Sequence, residues 1–150
     1  MDITKLISSM DFLSDRGYGS SGFLNEFHKM PILLDKNTIL TYFKGYYLHP
    51  FGGLLKREIA ISATILRDDK KYEVSYKCSF WDNCSESKYI EQHLVPFLTI
   101  LHNYINGCIE DKCYYTKYAF YSKILGEKEK EHAKRDFLIA QNNKTYEYKS

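Results

Sequence analysis

The sequence predicts a single α+β domain with a mostly antiparallel sheet and helices packed on one face. Two observations predict this class. Residues 56–80 alternate between apolar and polar positions in two stretches that flank a short charged turn, which is typical of a β-hairpin. Residues 89–108 then repeat apolar side chains at helical spacing. A chain of 150 residues fits one domain, 1–150, and can bury a core of its own without disulfide or metal support.

The hairpin pattern has a period of two in both strands. The first strand places its larger apolar side chains on one face, at Ile59, Ile61, Ala63 and Ile65. The second strand does the same with Tyr72, Val74, Tyr76, Cys78 and Phe80. Residues 67–71 between them are polar and rich in aspartate, as expected of a reversing turn. One face of the hairpin should therefore be buried, and the smaller, more polar face should stay in contact with water.

The predicted helix has recognisable start and stop signals. Asn83 is followed three residues later by Glu86, which fits an N-terminal capping pattern. Pro96 lies too deep for a first-turn proline, so we expect it to kink the helix or to split it in two. Asn106 and Gly107 are the expected end, because glycine tolerates the left-handed conformation there.

The amino-terminal third gives weaker signals. Residues 2–13 place apolar side chains at helical spacing, which predicts a short amphipathic helix. Residues 14–22 are rich in glycine and serine and are expected to form a loop. Residues 23–30 are interpreted as a second short helix or as an irregular segment.

Four further elements complete the predicted fold. Residues 35–37 indicate a turn, and residues 38–48 indicate a strand in which Gly45 suggests a bulge. Residues 113–121 are aromatic and prone to form a strand. Residues 127–140 are predicted to form a charged helix.

Composition limits the classes of function. The formal net charge is only +2, so the whole molecule has no general attraction for polyanions. No apolar run approaches the ~20 residues of a membrane span, and no membrane partner is expected. The first residues include Asp2 and lack a long apolar stretch, so they do not resemble a secretory signal. We therefore expect a cytoplasmic protein whose four cysteines are reduced thiols.

The glycine-rich segment 17–22 matches G-x-G-x-x-G by spelling. A dinucleotide site requires this motif between a strand and a helix. The element before it is predicted to be helical, so the segment is interpreted as a loop and no cofactor is expected.

The candidate metal ligands have unsuitable spacing. None of the cysteines forms a C-x-x-C pair; they are Cys78, Cys84, Cys108 and Cys113. His93 and His102 are nine residues apart, which places them on different faces of a straight helix. No metal site is predicted, and His93 is interpreted as a core or interface histidine.

The sequence predicts no enzyme. Glu73 and Lys77 share a strand face, but their spacing differs from the E-x-K arrangement of metal-dependent nucleases, and a solvated cross-strand charge pattern explains them. Nothing selects a Cys–His nucleophile pair, although Cys84 is chemically capable of one. No catalytic residue is therefore assigned.

The chain is unusually rich in tyrosine, with 14 tyrosines and 9 phenylalanines against a single tryptophan. AT-rich codons favour several of the abundant residues, which accounts for part of this bias. Aromatic and lysine residues interleave in segments 42–47 and 112–121. The candidate partner-binding residues from these segments are Tyr42, Lys44, Tyr46, Tyr115, Lys117, Tyr118 and Tyr121.

Three roles are open for the two aromatic–lysine segments: packing in the core, recognition of a protein, and binding of nucleic acid. The leading hypothesis is a small cytosolic protein-binding module that acts by surface complementarity, such as an inhibitor or immunity-type protein that neutralises a toxin or an enzyme. The alternative is a single-stranded nucleic-acid-binding domain, in which rings stack on bases and lysines contact phosphates.

Overall fold

The computed structural model describes residues 2–8, 11–15, 22–26, 31–48, 57–80, 86–110 and 117–142. These residues form a mixed α+β domain built on a seven-stranded sheet in which every paired strand is antiparallel. The elements in chain order are α1 (Ile3–Ser8), β1 (Asp11–Asp15), β2 (Gly22–Glu26), β3 (Ile32–Asp35), β4 (Thr38–Leu48), β5 (Arg57–Arg67), β6 (Lys70–Phe80), α2 (Glu86–Tyr89), a π turn (Ile90–Leu94), α3 (Val95–Ile105), β7 (Tyr118–Ile124) and α4 (Glu127–Asn142). The predicted α+β class and the antiparallel sheet are confirmed.

The sheet is centred on three long strands. Its order is β1-β2-β4-β5-β6-β7, and β3 pairs with the first residues of β4. The predicted hairpin is the β5–β6 pair, which keeps an unbroken register from Arg57↔Phe80 to Arg67↔Lys70. Asp68 in its turn has a φ of 54°. Aspartate is among the few side chains that adopt this left-handed conformation readily, and this explains its place in the turn.

The alternation in the strands divides the sheet into two faces. The helix face carries the buried residues Ile59, Ile61, Ala63 and Ile65 of β5. The open face carries the alternate residues Ala60, Ser62 and Thr64, which are only partly buried. Phe97 of α3 meets Phe43 of β4 on the helix face, with ring centroids 6.2 Å apart in an edge-to-face arrangement. The main core therefore lies between α3 and the helix face.

An aromatic cluster extends this core towards β7. The rings of Tyr76 and Tyr118 lie 4.7 Å apart between centroids, and Tyr104 meets Phe120 at 5.0 Å. Tyr72 packs edge-on against Tyr104 at 5.5 Å. Four of the fourteen tyrosines of the sequence thus pack on the helix face.

The helix that precedes β7 changes geometry at Pro96. Proline has no N–H to donate, and its ring collides with the carbonyl four residues earlier in a regular α-helix. The chain relieves this collision with the wider π turn, in which the N–H of Val95 donates to the carbonyl of Ile90. The predicted interruption at Pro96 therefore takes the form of a π turn between α2 and α3. The helix ends as predicted, with Gly107 at a φ of 75°.

The carboxy-terminal helix covers one end of the open face. Ala133 and Ala140 of α4 are buried in a second apolar cluster with Ile39, Leu66 and Leu125. Leu66 belongs to the open face because it alternates with Ile65 along β5. The predicted helix over residues 127–140 is confirmed, and it adds a contact on the face opposite to α3.

Arg67 at the end of β5 joins the sheet to the end of α3. Its Nε donates to the buried hydroxyl of Thr38 at 2.8 Å. Its Nη1 donates to the carbonyl of Ile105 at 3.0 Å and to Asn106 Oδ1 at 2.8 Å. Its Nη2 reaches Asp35 Oδ2 at 3.4 Å. One side chain therefore connects β3, β4 and the helix terminus.

Two predictions for the amino-terminal region were wrong. The helix expected over residues 2–13 ends at Ser8, and residues 11–15 form β1. Residues 23–30 were expected to be helical or irregular, but β2 begins at Gly22 and pairs antiparallel with β1 and β4. The pairing partners supply the backbone hydrogen bonds, and such long-range partners override a weak local helical spacing.

Strand β3 was not predicted, and the bulge in β4 lies elsewhere than expected. Gly45 pairs regularly with Ile61, whereas the register shifts between Leu40 and Tyr42, so that Thr41 is the extra residue. The turn predicted at residues 35–37 is present at residues 36–37, and Asp35 is the last residue of β3. Of the loop predicted over residues 14–22, residues 14–15 belong to β1 and Gly22 begins β2, whereas residues 16–21 lie outside the described residues. The predicted cap at Asn83 and residues 113–116 of the predicted strand also lie outside them.

The packing of α3 predicts a large effect of truncating Phe97. Phe97→Ala should lower the free energy of unfolding by about 3–5 kcal/mol, because it removes a fully buried ring and leaves a cavity against Phe43. Thr99→Ala is the matched control, since Thr99 is exposed on the same helix and should change stability by less than about 0.5 kcal/mol. Urea denaturation measures both. Equal effects of the two substitutions would contradict the placement of α3.

The hydrogen bonds of Arg67 predict that lysine cannot replace it. Arg67→Lys keeps the charge but loses the planar fork that contacts Thr38 and Ile105 at once, which should cost about 1–3 kcal/mol of stability. Arg135→Lys on the exposed side of α4 is the control and should be nearly neutral. An unchanged denaturation midpoint for Arg67→Lys would show that these bonds contribute nothing.

Candidate functional site

Short side chains form a floor on the open face beyond the area covered by α4. Ser62, Ser75 and Ala119 lie directly opposite one another on β5, β6 and β7. Ala60 continues the floor along β5, and Ser75 and Ala119 are exposed. Because none of these side chains reaches far from the backbone, a partner group can approach the sheet closely here.

A row of larger side chains borders this floor. Tyr42, Thr64, Glu73 and Tyr121 face one another in register across β4, β5, β6 and β7. The two tyrosines are 49% and 50% exposed. Three strand spacings separate them, which is roughly 14 Å between their backbones. The result is a pair of half-exposed rings, with a hydroxyl and a carboxylate between them.

The floor and this row enclose two shallow depressions that share Ser62, Ser75 and Ala119. The first has a volume of about 280 Å³ and lies between Tyr42 and Tyr121. The second has a volume of about 330 Å³ and extends along the floor to Lys77 and Lys117. Together they make the open face concave in two places.

Ion pairs neutralise much of the charge around the open face. Lys71 Nζ lies 2.9 Å from Glu73 Oε1, and Lys77 Nζ lies 3.7 Å from Glu58 Oε1. On the side towards α4, Lys123 Nζ lies 2.7 Å from Glu129 Oε2. This last hydrogen bond raises the pKa of Lys123 and lowers the pKa of Glu129. Three lysines around the open face are therefore paired with glutamates, and Lys44 and Lys117 add positive charge there.

A second group of functional side chains lies at the end of β6, on the helix face. Tyr76 Oη is 2.9 Å from Nδ1 of His93, which the π turn presents to the sheet. Two residues along the strand, the Sγ atom of Cys78 is 3.6 Å from Nζ of Lys117. Four different titratable side chains thus meet at this corner of the domain.

The pKa values of these groups are shifted by their surroundings. Burial raises the pKa of Tyr76, and the neighbouring Cys78 raises it further. Burial also raises the pKa of Tyr118 to about 12, with a smaller contribution from Cys78. Burial lowers the pKa of His93, and the charge of Lys117 lowers it further. The phenols stay protonated and the imidazole favours its neutral form.

The structure separates the sequence-predicted site residues. Tyr42, Lys44 and Tyr121 are exposed and lie on the open face. Lys117 lies at the end of the second depression, and its ammonium group points to Cys78. Tyr118 is on the helix face, where its ring packs against Tyr76 and stacks on Phe97 with centroids 6.4 Å apart.

The side chains of two of the seven residues lie outside the described part of the structure. Tyr46 occupies a position in β4 opposite Ala60, which places its backbone in the sheet. Tyr115 lies outside the described residues. Their roles as partner contacts stay predictions.

Sequence reasoning did not identify the floor residues as part of a site. The alternation of Ala60, Ser62 and Thr64 indicated a small, polar face, but only the register across β5, β6 and β7 brings Ser62, Ser75 and Ala119 together. The Tyr76–His93 pair was missed as well, because no local pattern links a strand residue to a helix residue 17 positions later.

The described part of the chain contains neither a metal-binding cluster nor a membrane-spanning helix. Within the ranges given above, no three histidine, cysteine, aspartate or glutamate side chains come close enough together to hold a metal ion. None of the helices described is both long and apolar enough to cross a membrane.

Searches against models of protein families, against curated proteins and against solved structures give no match to this chain.

The burial of His93 predicts a pH dependence of stability. Its pKa in the folded state lies below the ~6.5 of an unfolded chain, so the unfolded state binds more protons between these two values. Stability should be complete above pH ~6.5 and should fall as the pH drops through the folded pKa. His93→Gln should flatten this fall, leaving a residual slope from His102, whose pKa burial also lowers.

The measurement is urea denaturation between pH 5 and pH 8, with His132→Gln on the exposed side of α4 as the matched control. The control should keep the wild-type pH dependence. A wild-type slope in His93→Gln would show that the burial of His93 does not couple stability to protonation.

Proposed function

We propose that this chain is a protein-binding module that acts by surface complementarity, as an inhibitor or immunity-type protein that neutralises a toxin or an enzyme does. One observation carries the proposal: Tyr42 and Tyr121 stand half-exposed at the same level of the open face, on either side of a depression with a floor of short side chains. Tyrosine provides a large and rigid contact area with a polar tip, and it is enriched at the centres of protein interfaces.

The shape of the open face supports a protein partner. A floor of serine and alanine lets an incoming side chain reach the sheet, and the bordering rings can enclose it and exclude water. The hydroxyls of Ser62, Thr64 and Ser75 can donate and accept hydrogen bonds, so they can satisfy polar groups of a partner in several arrangements. In this proposal the face binds a partner in the cytosol and performs no reaction.

The charge pattern favours a protein over single-stranded nucleic acid. Phosphate contacts require lysines that are available to the backbone of the nucleic acid, but Lys71 and Lys77 are engaged by glutamates. Thr64 and Glu73 lie between the two exposed rings, and neither side chain can supply a cation to a phosphate chain that stacks its bases on those rings. We therefore retain nucleic-acid binding only as the alternative that the experiment must exclude.

A site-specific crosslinking experiment tests the proposal. A photoreactive phenylalanine analogue placed at Tyr121, and separately at Tyr42, should crosslink one and the same polypeptide in cells that produce the chain. The same analogue at Leu138 is the control, because Leu138 is 59% exposed on α4, away from the floor. Crosslinking of nucleic acid, or equal capture from Leu138, would contradict the proposal.

The captured partner then allows a quantitative prediction. Tyr42→Ala and Tyr121→Ala should each weaken its binding by about 2 kcal/mol, roughly 30-fold, since each removes an exposed anchor without touching the core. Lys44→Ala should mainly slow association, and Leu138→Ala should have no effect. Calorimetry at two salt concentrations measures the affinities, and stopped-flow mixing measures the association rates. A loss confined to the lysine variant, with a steep salt dependence, would favour a phosphate-containing partner instead.

A further inference from the structure

The corner of the domain where β6 meets the start of β7 contains a contact that the binding function does not use. Sγ of Cys78 lies 3.6 Å from Nζ of Lys117. We propose that these two side chains form a redox-sensitive covalent bridge, in which one oxygen atom links the cysteine sulfur to the lysine nitrogen. This is a modification site at the end of the second depression, away from the rings of Tyr42 and Tyr121 that border the first.

The backbone holds the two groups together. The N–H of Lys77 donates to the carbonyl of Lys117 at 3.0 Å, which fixes Lys117 beside the strand that carries Cys78. The ring of Tyr118 then packs on the ring of Tyr76, so that the chain cannot slide along β6 without breaking this contact. An S–O–N bridge leaves sulfur and nitrogen farther apart than a direct S–N bond does. The two atoms therefore need to move less from their present separation to form it.

Burial restricts what can react with the sulfur. Cys78 is only 8% exposed, so a small oxidant such as hydrogen peroxide can reach it more easily than the thiol of another protein. The neighbouring phenols compete poorly as nucleophiles, because burial raises the pKa of both Tyr76 and Tyr118 and keeps them protonated. The lysine amine is therefore the suitable partner within the described residues.

The chemistry balances with two molecules of hydrogen peroxide. The first oxidises the Cys78 thiol to a sulfenic acid, and one water leaves. The neutral amine of Lys117, having lost its proton to solvent, is then joined to the sulfenic oxygen. The second peroxide takes up the hydrogen of the sulfenic acid and one hydrogen of the amine, and two waters leave. Each step transfers two electrons to peroxide, and the product is an S–O–N(H) bridge.

The bridge would connect residues that are 39 positions apart and enclose α2, the π turn and α3 in a covalent loop. Such a link restricts the unfolded chain more than the folded one, so the oxidised protein should resist unfolding better than the reduced protein. The corner would then act as a staple that closes under oxidising conditions.

The test is peroxide treatment of the purified chain, followed by intact mass measurement and peptide mapping. We expect a mass change of one oxygen gained and two hydrogens lost, located in a crosslinked pair of peptides that contain Cys78 and Lys117. Dithiothreitol should reverse the change, and the oxidised form should melt several degrees higher.

Matched variants make the outcome decisive. Lys117→Arg and Cys78→Ser should both abolish the crosslink, whereas Lys77→Arg and Cys108→Ser should retain it; Cys108 is the exposed free cysteine of the described chain. Three results would overturn the proposal: addition of oxygen to Cys78 without loss of hydrogen, loss of two hydrogens alone as in a disulfide, or the same product in Lys117→Arg. None of them would bear on the binding role of Tyr42 and Tyr121.

Discussion

The position of α3 over the sheet depends on the guanidinium group of Arg67. The last carbonyls of any helix lack partners within the helix, and they must find donors elsewhere. Arg67 supplies one to Ile105 and binds Asn106 beside it, while its other nitrogens hold Thr38 and Asp35. A planar, permanently charged fork can satisfy several acceptors from one partly buried position. The end of α3 is thereby fixed to the end of the sheet where β3, β4 and β5 meet.

With α3 fixed on the helix face, the two faces of the sheet differ in how much apolar surface they bury. The helix face receives α3 and buries most of the large side chains, including the aromatic cluster around Tyr104 and Phe120. The open face needs little apolar surface for stability beyond the small contact with α4. Its residues are therefore free to be short, polar or exposed, as Ser62 and Tyr121 are. A binding surface can be built there without weakening the core.

The parts of the fold that the sequence predicts are those specified by neighbouring residues. The β5–β6 hairpin and the helix around Pro96 follow from local periodicity and from proline chemistry, and both are present. Strands β1 and β2 escaped prediction because their pairing partners lie far along the chain or in short, weakly patterned segments. Their backbone hydrogen bonds depend on contacts that a local window does not contain.

The candidate site was predictable only in part, for a related reason. The tyrosine and lysine content predicted Tyr42, Tyr118 and Tyr121 as members of one surface. Side chains alternate between the two faces along a strand, however, so Tyr118 and Tyr121, three residues apart, point to opposite faces. The pairing of β6 with β7 sends Tyr118 to the core and Tyr121 to the open face. Register is a property of two strands, so it cannot be obtained from the composition of one.

The extra residue in β4 lets this strand lose one residue without changing which side chains face the core, whereas β5 and β6 have no such position. Thr41 separates two stretches of regular pairing, with Leu40 opposite Ile65 and Tyr42 opposite Thr64. If Thr41 were deleted, the two stretches would join and Leu40 and Tyr42 would keep their present faces. A deletion within the unbroken register of β5 would instead reverse the faces of all the residues beyond it. Evolutionary change in chain length is thus more easily accommodated at Thr41, next to the exposed ring of Tyr42, than anywhere along β5.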